Sequence, residues 1–171
     1  TLVPIANITF GGSGASRNVV ITPAAAESGN STITVTVSDG TLTAATNFVL
    51  TVNPNTPPTI TAIGPQSTNE NTPTGAIAFT VGDAETQPGS LTLSAASSNV
   101  TLVPIANITF GGSGASRNVV ITPAAGESGT STITITVSDG TLTAATNFVL
   151  TVHANTPPTI TAIGPQSTNE N

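Results

Sequence analysis

Residues 131–138 read STITITVS, with Ile133, Ile135 and Val137 alternating against Thr134 and Thr136. An apolar-polar period of two is the pattern of a strand with one buried face, and β-branched residues favour it. The same alternation recurs in both directions along the chain. Residues 75–81 place Ile77, Phe79 and Val81 on one face, residues 90–96 place Leu91, Leu93 and Ala95, and residues 144–152 place Phe148, Leu150 and Val152. Residues 107–110 form a shorter candidate strand with Ile108 and Phe110 inward. Residues 117–122 are strand-like, but Val119, Val120 and Ile121 are consecutive, so the pattern leaves the register open. Residues 59–63 read as a short leading strand or an extended linker, and residues 100–105, interrupted by Pro104, as an edge segment or a bend.

Between these runs stand turn signals. They are the polar stretch at 68–73, the acidic turn at 82–89, the Gly111-Gly112-Ser113-Gly114 loop, the loop at 123–130 and the Asp139-Gly140 turn. No helical period appears. About seven short strands at roughly 8–14-residue spacing, separated by Gly and Pro turns, predict a β-sandwich. Its inner faces are expected to be aliphatic, with Phe10, Phe48, Phe79, Phe110 and Phe148 pointing inward.

This pattern is stated almost twice. Residues 1–71 recur at 101–171 with five changes: Ala26 becomes Gly126, Asn30 Thr130, Val35 Ile135, Asn53 His153 and Pro54 Ala154. A period of 100 residues is a whole small domain rather than a solenoid unit. The linker is marked by Asn53-Pro54-Asn55-Thr56-Pro57-Pro58, because adjacent prolines cannot continue a ladder. The expected organisation is the C-terminal part of one module at 1–55, a complete module at 56–155 and the start of a further one at 156–171. The partial module would leave sheet edges and an apolar face open. Either the protein continues in both directions, as an excerpt of a longer array, or neighbouring copies complete each other by strand addition.

Charge narrows the partners. Arg17 and Arg117 are the only basic residues against eight acidic ones, a net charge of −6. Phosphate recognition and anionic membranes both call for cations, so nucleic acid and electrostatic membrane binding are excluded as functions. Abundant Thr, Ser and Asn would suit a disordered stalk, but the Val, Ile and Thr alternation argues for folded strands. Cysteine is absent, which a module near 100 residues tolerates without disulfides. No apolar run is long enough to span a membrane as a helix.

Catalytic parts are missing. The chain has no Cys and no Tyr, and its one His, His153, is replaced by Asn53 in the other copy, so a Ser-His-Asp set cannot be common to both. Asp83 and Glu85 share one turn and cannot flank a substrate cleft as a glycosidase pair does. The Gly111–Gly114 loop has no following Lys and is no phosphate loop. Asn-X-Thr sequons stand at Asn7, Asn30, Asn99 and Asn107; Asn30 is the candidate glycosylation site, and the second copy loses it to Thr130.

Three features together resemble the cadherin-like, immunoglobulin-like tandem repeats of large bacterial surface and secreted proteins. They are the VSDG turn at Asp139-Gly140, the closing strand running into Asn155-Thr156-Pro157-Pro158, and the opening at 68–73 followed by Asp83-Ala84-Glu85. The resemblance implies tandem Ig-like or cadherin-like β-sandwich modules in an all-β chain at the bacterial cell surface or outside the cell. It also implies calcium between modules. The matching residues are Glu70, Asp83, Glu85 and Asp139, with Asp39 and Glu170 in the partial copies and Asn53 and Asn55 at the junction. The linker carries asparagines where cadherins carry aspartates, and mid-module only Glu127 remains. The expected function is a structural repeat of an extracellular filament, stalk or giant surface protein, each sandwich spanning about 40–45 Å. Its partners are expected to be other copies of the module or chain, joined end to end or by strand exchange. The alternative is an adhesin module recognising a glycan or a protein.

Overall fold

A computed structural model of the chain describes residues 1–170 and divides it into two units, Thr1–Thr56 and Pro57–Asn171. The first unit holds two antiparallel hairpins. Strand β1 (Ile8–Ser13) pairs with β2 (Ser16–Ile21), and β3 (Gly29–Ser38) pairs with β4 (Thr43–Val52). Each hairpin is a two-stranded sheet among the described residues.

Among the described residues the second unit is a sandwich of eight strands. These are β5 (Thr59–Ile60), β6 (Gln66–Asn69), β7 (Ile77–Gly82), β8 (Thr92–Ser97), β9 (Ile108–Ser113), β10 (Ser116–Ile121), β11 (Gly129–Ser138) and β12 (Thr143–His153). One sheet has the order β5-β7-β10-β9 and the other β6-β12-β11-β8. This is the two-sheet arrangement of immunoglobulin-type sandwiches, with an extra strand at the edge of the second sheet.

That extra strand corrects the sequence expectation at 68–73. Thr68 and Asn69 are not turn residues. They end β6, which runs parallel to β12 in the register Leu150↔Gln66, Thr151↔Ser67, Val152↔Thr68 and His153↔Asn69. The turn begins only at Glu70, and Asn71 adopts φ +60° there, a left-handed conformation that Asn tolerates.

The Gly-rich loop is corrected as well. Gly111, Gly112 and Ser113 belong to β9, and the reversal to β10 is made by Gly114 and Ala115. Gly112 has φ +85°, and a Cβ there would run into the Ser116 carbonyl oxygen, so the close hairpin requires glycine at this position.

The core forms where the alternation points. Ile133, Ile135 and Val137 of β11 and Leu150 of β12 are fully buried, with Phe148 beside them and Phe79, Val81 and Leu91 among the rest of the cluster. Each such aliphatic side chain contributes about 1.5–3 kcal/mol on burial. The open register of β10 resolves with Val119 and Ile121 inward and Val120 only half-buried, because Val119 pairs with Phe110 across the ladder. Pro104 does break the chain at 100–105. The segment is a bend followed by a single 3-10 turn, Ile105–Asn107, and it drives Leu102 and Val103 into the core. Asn99 fixes the bend: its Oδ1 accepts from the Leu102 N–H at 3.1 Å and its carbonyl from the Val103 N–H at 2.9 Å. Ser131 is a buried polar hub on β11. Its hydroxyl pairs with Ser97 Oγ at 2.9 Å and accepts from the Asn99 N–H at 3.2 Å.

The first unit repeats β9–β12 in sequence but not in burial. Val37 is 67% exposed where Val137 is 0%, and Phe48 is 41% exposed where Phe148 is 4%. Phe10 is exposed too, so the expectation that every Phe points inward fails in this unit. The reason is topological. Residues 1–56 contain no counterparts of β5–β8, which supply Phe79, Val81 and Leu91 to the other core. An open groove of about 400 Å³ remains, lined by Phe10, Arg17, Val35, Thr36, Val37 and Ser38.

Candidate functional site

The aspartates singled out in the sequence are turn-makers. Asp139 Oδ1 accepts from the backbone N–H groups of Thr141 at 2.6 Å and Leu142 at 2.7 Å, closing the β11–β12 hairpin. Asp39 does the same for β3–β4 with Thr41 at 2.8 Å and Leu42 at 2.7 Å. The Leu42 donor, followed by Thr41, holds the Asp39 carboxyl below its ordinary value. Asp83 Oδ1 accepts from Glu85 N–H at 2.9 Å and Thr86 N–H at 2.6 Å, while its Oδ2 is buried without a hydrogen-bond partner among the described residues. Side-chain acceptance by Asp two and three residues ahead is the Asx-turn geometry.

Glu70 works differently. Its N–H donates to the His153 carbonyl at 2.8 Å, continuing the parallel β6–β12 ladder by one bond. Its Oε2 accepts from the Asn155 N–H at 3.1 Å and its Oε1 from Asn71 Nδ2 at 3.3 Å. Glu70 therefore ties the start of the module to the residues that follow its last strand.

These residues do not gather. Asp139 precedes β12 and Glu70 meets its far end, so the length of a strand running from Thr143 to His153 separates them, about 33 Å. Asp83 and Glu85 lie together in one turn, with Glu85 exposed. Asn53 and Asn55 lie exposed after β4, and Glu170 is exposed in the segment after β12. Among the described residues no three of His, Cys, Asp and Glu come within reach of one ion. Calcium asks for six to eight oxygens around one centre. In the second unit Glu70 and Asp139 stand at opposite ends of β12, and Glu70, Asp83 and Asp139 are engaged with backbone N–H groups, so these carboxylates do not fit such a centre within the module. Asn30 is exposed as the second residue of β3.

What the second unit does bring together is a pair of parallel strands, β6 and β12, at the outer edge of its sheet. Sequence reasoning missed this. Gln66-Ser67-Thr68-Asn69 carries no apolar residue, so no hydrophobic period marks it. The signal that was present is Ile63, three residues earlier, which reaches the core at 8% exposure.

A profile of the bacterial Ig domain family matches residues 55–153. That family is typical of extracellular and cell-surface proteins. No curated protein matches the chain. Among solved structures, the titin M10–obscurin-like 1 Ig complex is 15% identical over 60% of this chain and 98% of that one, with a TM-score of 0.43. Titin Z1Z2 in complex with telethonin is 16% identical over 89% and 75%, with a TM-score of 0.46. An endo-fucoidan hydrolase of glycoside hydrolase family 107 is 19% identical over 91% of this chain but only 23% of its own length, with a TM-score of 0.41. The two titin structures capture Ig-like domains with partner proteins.

Proposed function

The chain belongs to the bacterial Ig domain family, and from that premise we propose that its modules are structural repeats of an extracellular filament, stalk or surface protein, carrying length and load. The observation that carries this reading is the parallel pairing of β6 with β12. The module's incoming edge strand and its last strand travel in the same direction, so a chain passing through continues onward instead of turning back. Tension applied between them loads the hydrogen bonds of the ladder together, in shear, rather than one at a time. Glu70 adds a bond on each side of the exit, to His153 and Asn155.

Adhesion is the less supported use. The large apolar side chains exposed on the sandwich are Val100, Ile105 and Val149, scattered aliphatics rather than an aromatic anchor of the kind that dominates binding energy. Partners, in this reading, are further copies of the same module.

Single-molecule stretching of a tandem array tests the proposal. A regular sawtooth is expected, with a contour gain of about 300 Å per module, from about 100 residues at ~3.5 Å less the folded length. A smooth extension without unfolding peaks would overturn it. Chelator in the same experiment tests calcium between modules: unchanged peak forces are expected from the dispersed carboxylates, and softening would restore a metal at the junction.

A further inference from the structure

We propose that the open edge of β8 is a lateral docking seat for β8 of a second copy of the chain, added antiparallel about a two-fold axis. The inference deepens the structural-repeat reading by giving it a side-to-side partner, and it rests on that reading for its purpose.

β8 ends its sheet. In the order β6-β12-β11-β8 it pairs with β11 alone among the described residues. The register of that pair fixes what the free edge presents. The Ser98 N–H donates to the Thr132 carbonyl at 3.0 Å, in step with Ala96↔Thr134 and Ser94↔Thr136. Hydrogen-bonding residues alternate along an antiparallel ladder. Ser94 and Ala96 therefore turn their N–H and C=O groups to β11, and Leu93, Ala95 and Ser97 turn theirs outward.

Such an edge is normally blunted by a charge, a proline or a bulge. β8 has none of these: it reads Thr-Leu-Ser-Ala-Ala-Ser in unbroken register. The bareness extends beyond the strand. No charged residue stands between Glu85 and Arg117, a stretch that holds β8, the bend after it and β9, an edge strand of the other sheet. Arg117 itself donates to the Gly114 and Pro88 carbonyls at 2.9 Å each. The five carboxylates of residues 57–153 all lie outside this stretch. Two acidic copies repel one another over the surfaces that carry those groups, and the bare side is where they approach at least cost. Leu93 and Ala95, packed against the core from β8, are only partly buried, since no strand follows them.

The strand is its own complement. With Ala95 opposite Ala95 of the second copy, Leu93 of each copy faces Ser97 of the other. All three positions carry outward N–H and C=O groups, so each pair exchanges hydrogen bonds. On the solvent face Ser94 of each copy comes opposite Ala96 of the other, and both side chains are small. The two sheets continue into one another. The same patch serves both copies, so the contact closes as a pair. Repeated along an array, it holds two chains side by side, running in opposite directions.

The full 171-residue chain tests this, and its lack of cysteine makes cross-linking clean. Ser94→Cys and Ala96→Cys chains, mixed in equal amounts and oxidised, are expected to give the mixed disulfide dimer in excess of its random share. A random mixture overturns the register and the proposal with it. In sedimentation the unmodified chain is expected to form a dimer with rising concentration, more readily as added salt screens the acidic surfaces. Ala95→Pro removes an N–H that faces away from β11, and Ser94→Lys places a charge on the joint. Each is expected to abolish the dimer and leave the melting of the sandwich unchanged. Should Ala95→Pro lower the melting point, Ser94→Lys decides alone, because Ser94 is exposed. A chain that stays monomeric at all concentrations overturns the proposal, as does association that survives Ser94→Lys. Stretching of a covalent array separates the two readings. A sawtooth from an array whose chain never pairs sinks the lateral joint and leaves the structural repeat standing; a smooth extension from a chain that does pair sinks the repeat and leaves the joint.

Discussion

Position 26 of one copy and 126 of the other differ for a reason visible in the backbone. Ala26 sits at φ +60°, where a Cβ is strained, and its counterpart Gly126 holds the same left-handed region at φ +75° without one. Gly126 also donates its N–H to Asn71 Oδ1 at 3.0 Å, which pins the loop to the turn after β6. Gly126→Ala is expected to destabilise the sandwich by about 1–2 kcal/mol in urea denaturation. An unchanged midpoint would mean that the loop relaxes freely. The Val35-to-Ile135 difference fills a site that is closed in the second unit, where Ile135 is fully buried, and only half-closed in the first. Asp39 supplies a pH dependence. Its carboxyl is held below its ordinary value by the Leu42 and Thr41 N–H groups, so its contribution to the β3–β4 turn is complete above the unfolded pKa, about 4, and is lost as pH falls through the lowered folded value. A carbon-detected titration of Asp39 is expected to give a midpoint below that of an unstructured Asp; a midpoint at or above it would contradict the turn geometry. Nothing in the structure explains why Asn30 gives way to Thr130.

At the scale of elements, the strands that were legible in the sequence are those with a hydrophobic period. Ile133, Ile135 and Val137, or Phe148, Leu150 and Val152, announce β11 and β12 because one face of each is sealed by the opposite sheet. β6 was illegible because its side chains are Gln, Ser, Thr and Asn and its role is carried by backbone hydrogen bonds, which leave no trace in side-chain pattern. The Gly111–Gly112 stretch misled in the opposite sense: glycine suggests a loop, yet here it lets two strands approach closely. The aspartates were legible as turn residues, since Asp139-Gly140 closes a hairpin whether or not an ion is near. Thr68→Pro is expected to remove a ladder bond between β6 and β12 and lower the stability of the sandwich by about 1–3 kcal/mol. Stability unchanged by this substitution would show that the parallel strand is ornamental.

For the whole molecule, the two units contrast one sequence with and without its partners. Amides of β11, buried on both sides by β8 and β12, are expected to exchange with solvent only through global unfolding, whereas those of the identical-pattern β3 exchange faster through local opening of its hairpin. Equal protection in hydrogen exchange would show that the first unit is held by something beyond its own four strands. A final consequence belongs to the direction of β6 and β12. Two strands that run the same way give the module a head and a tail, as a link with an arrow on it. An array built from such links has polarity: its two extremities are chemically distinct, and lengthening and anchoring can be assigned to different ends.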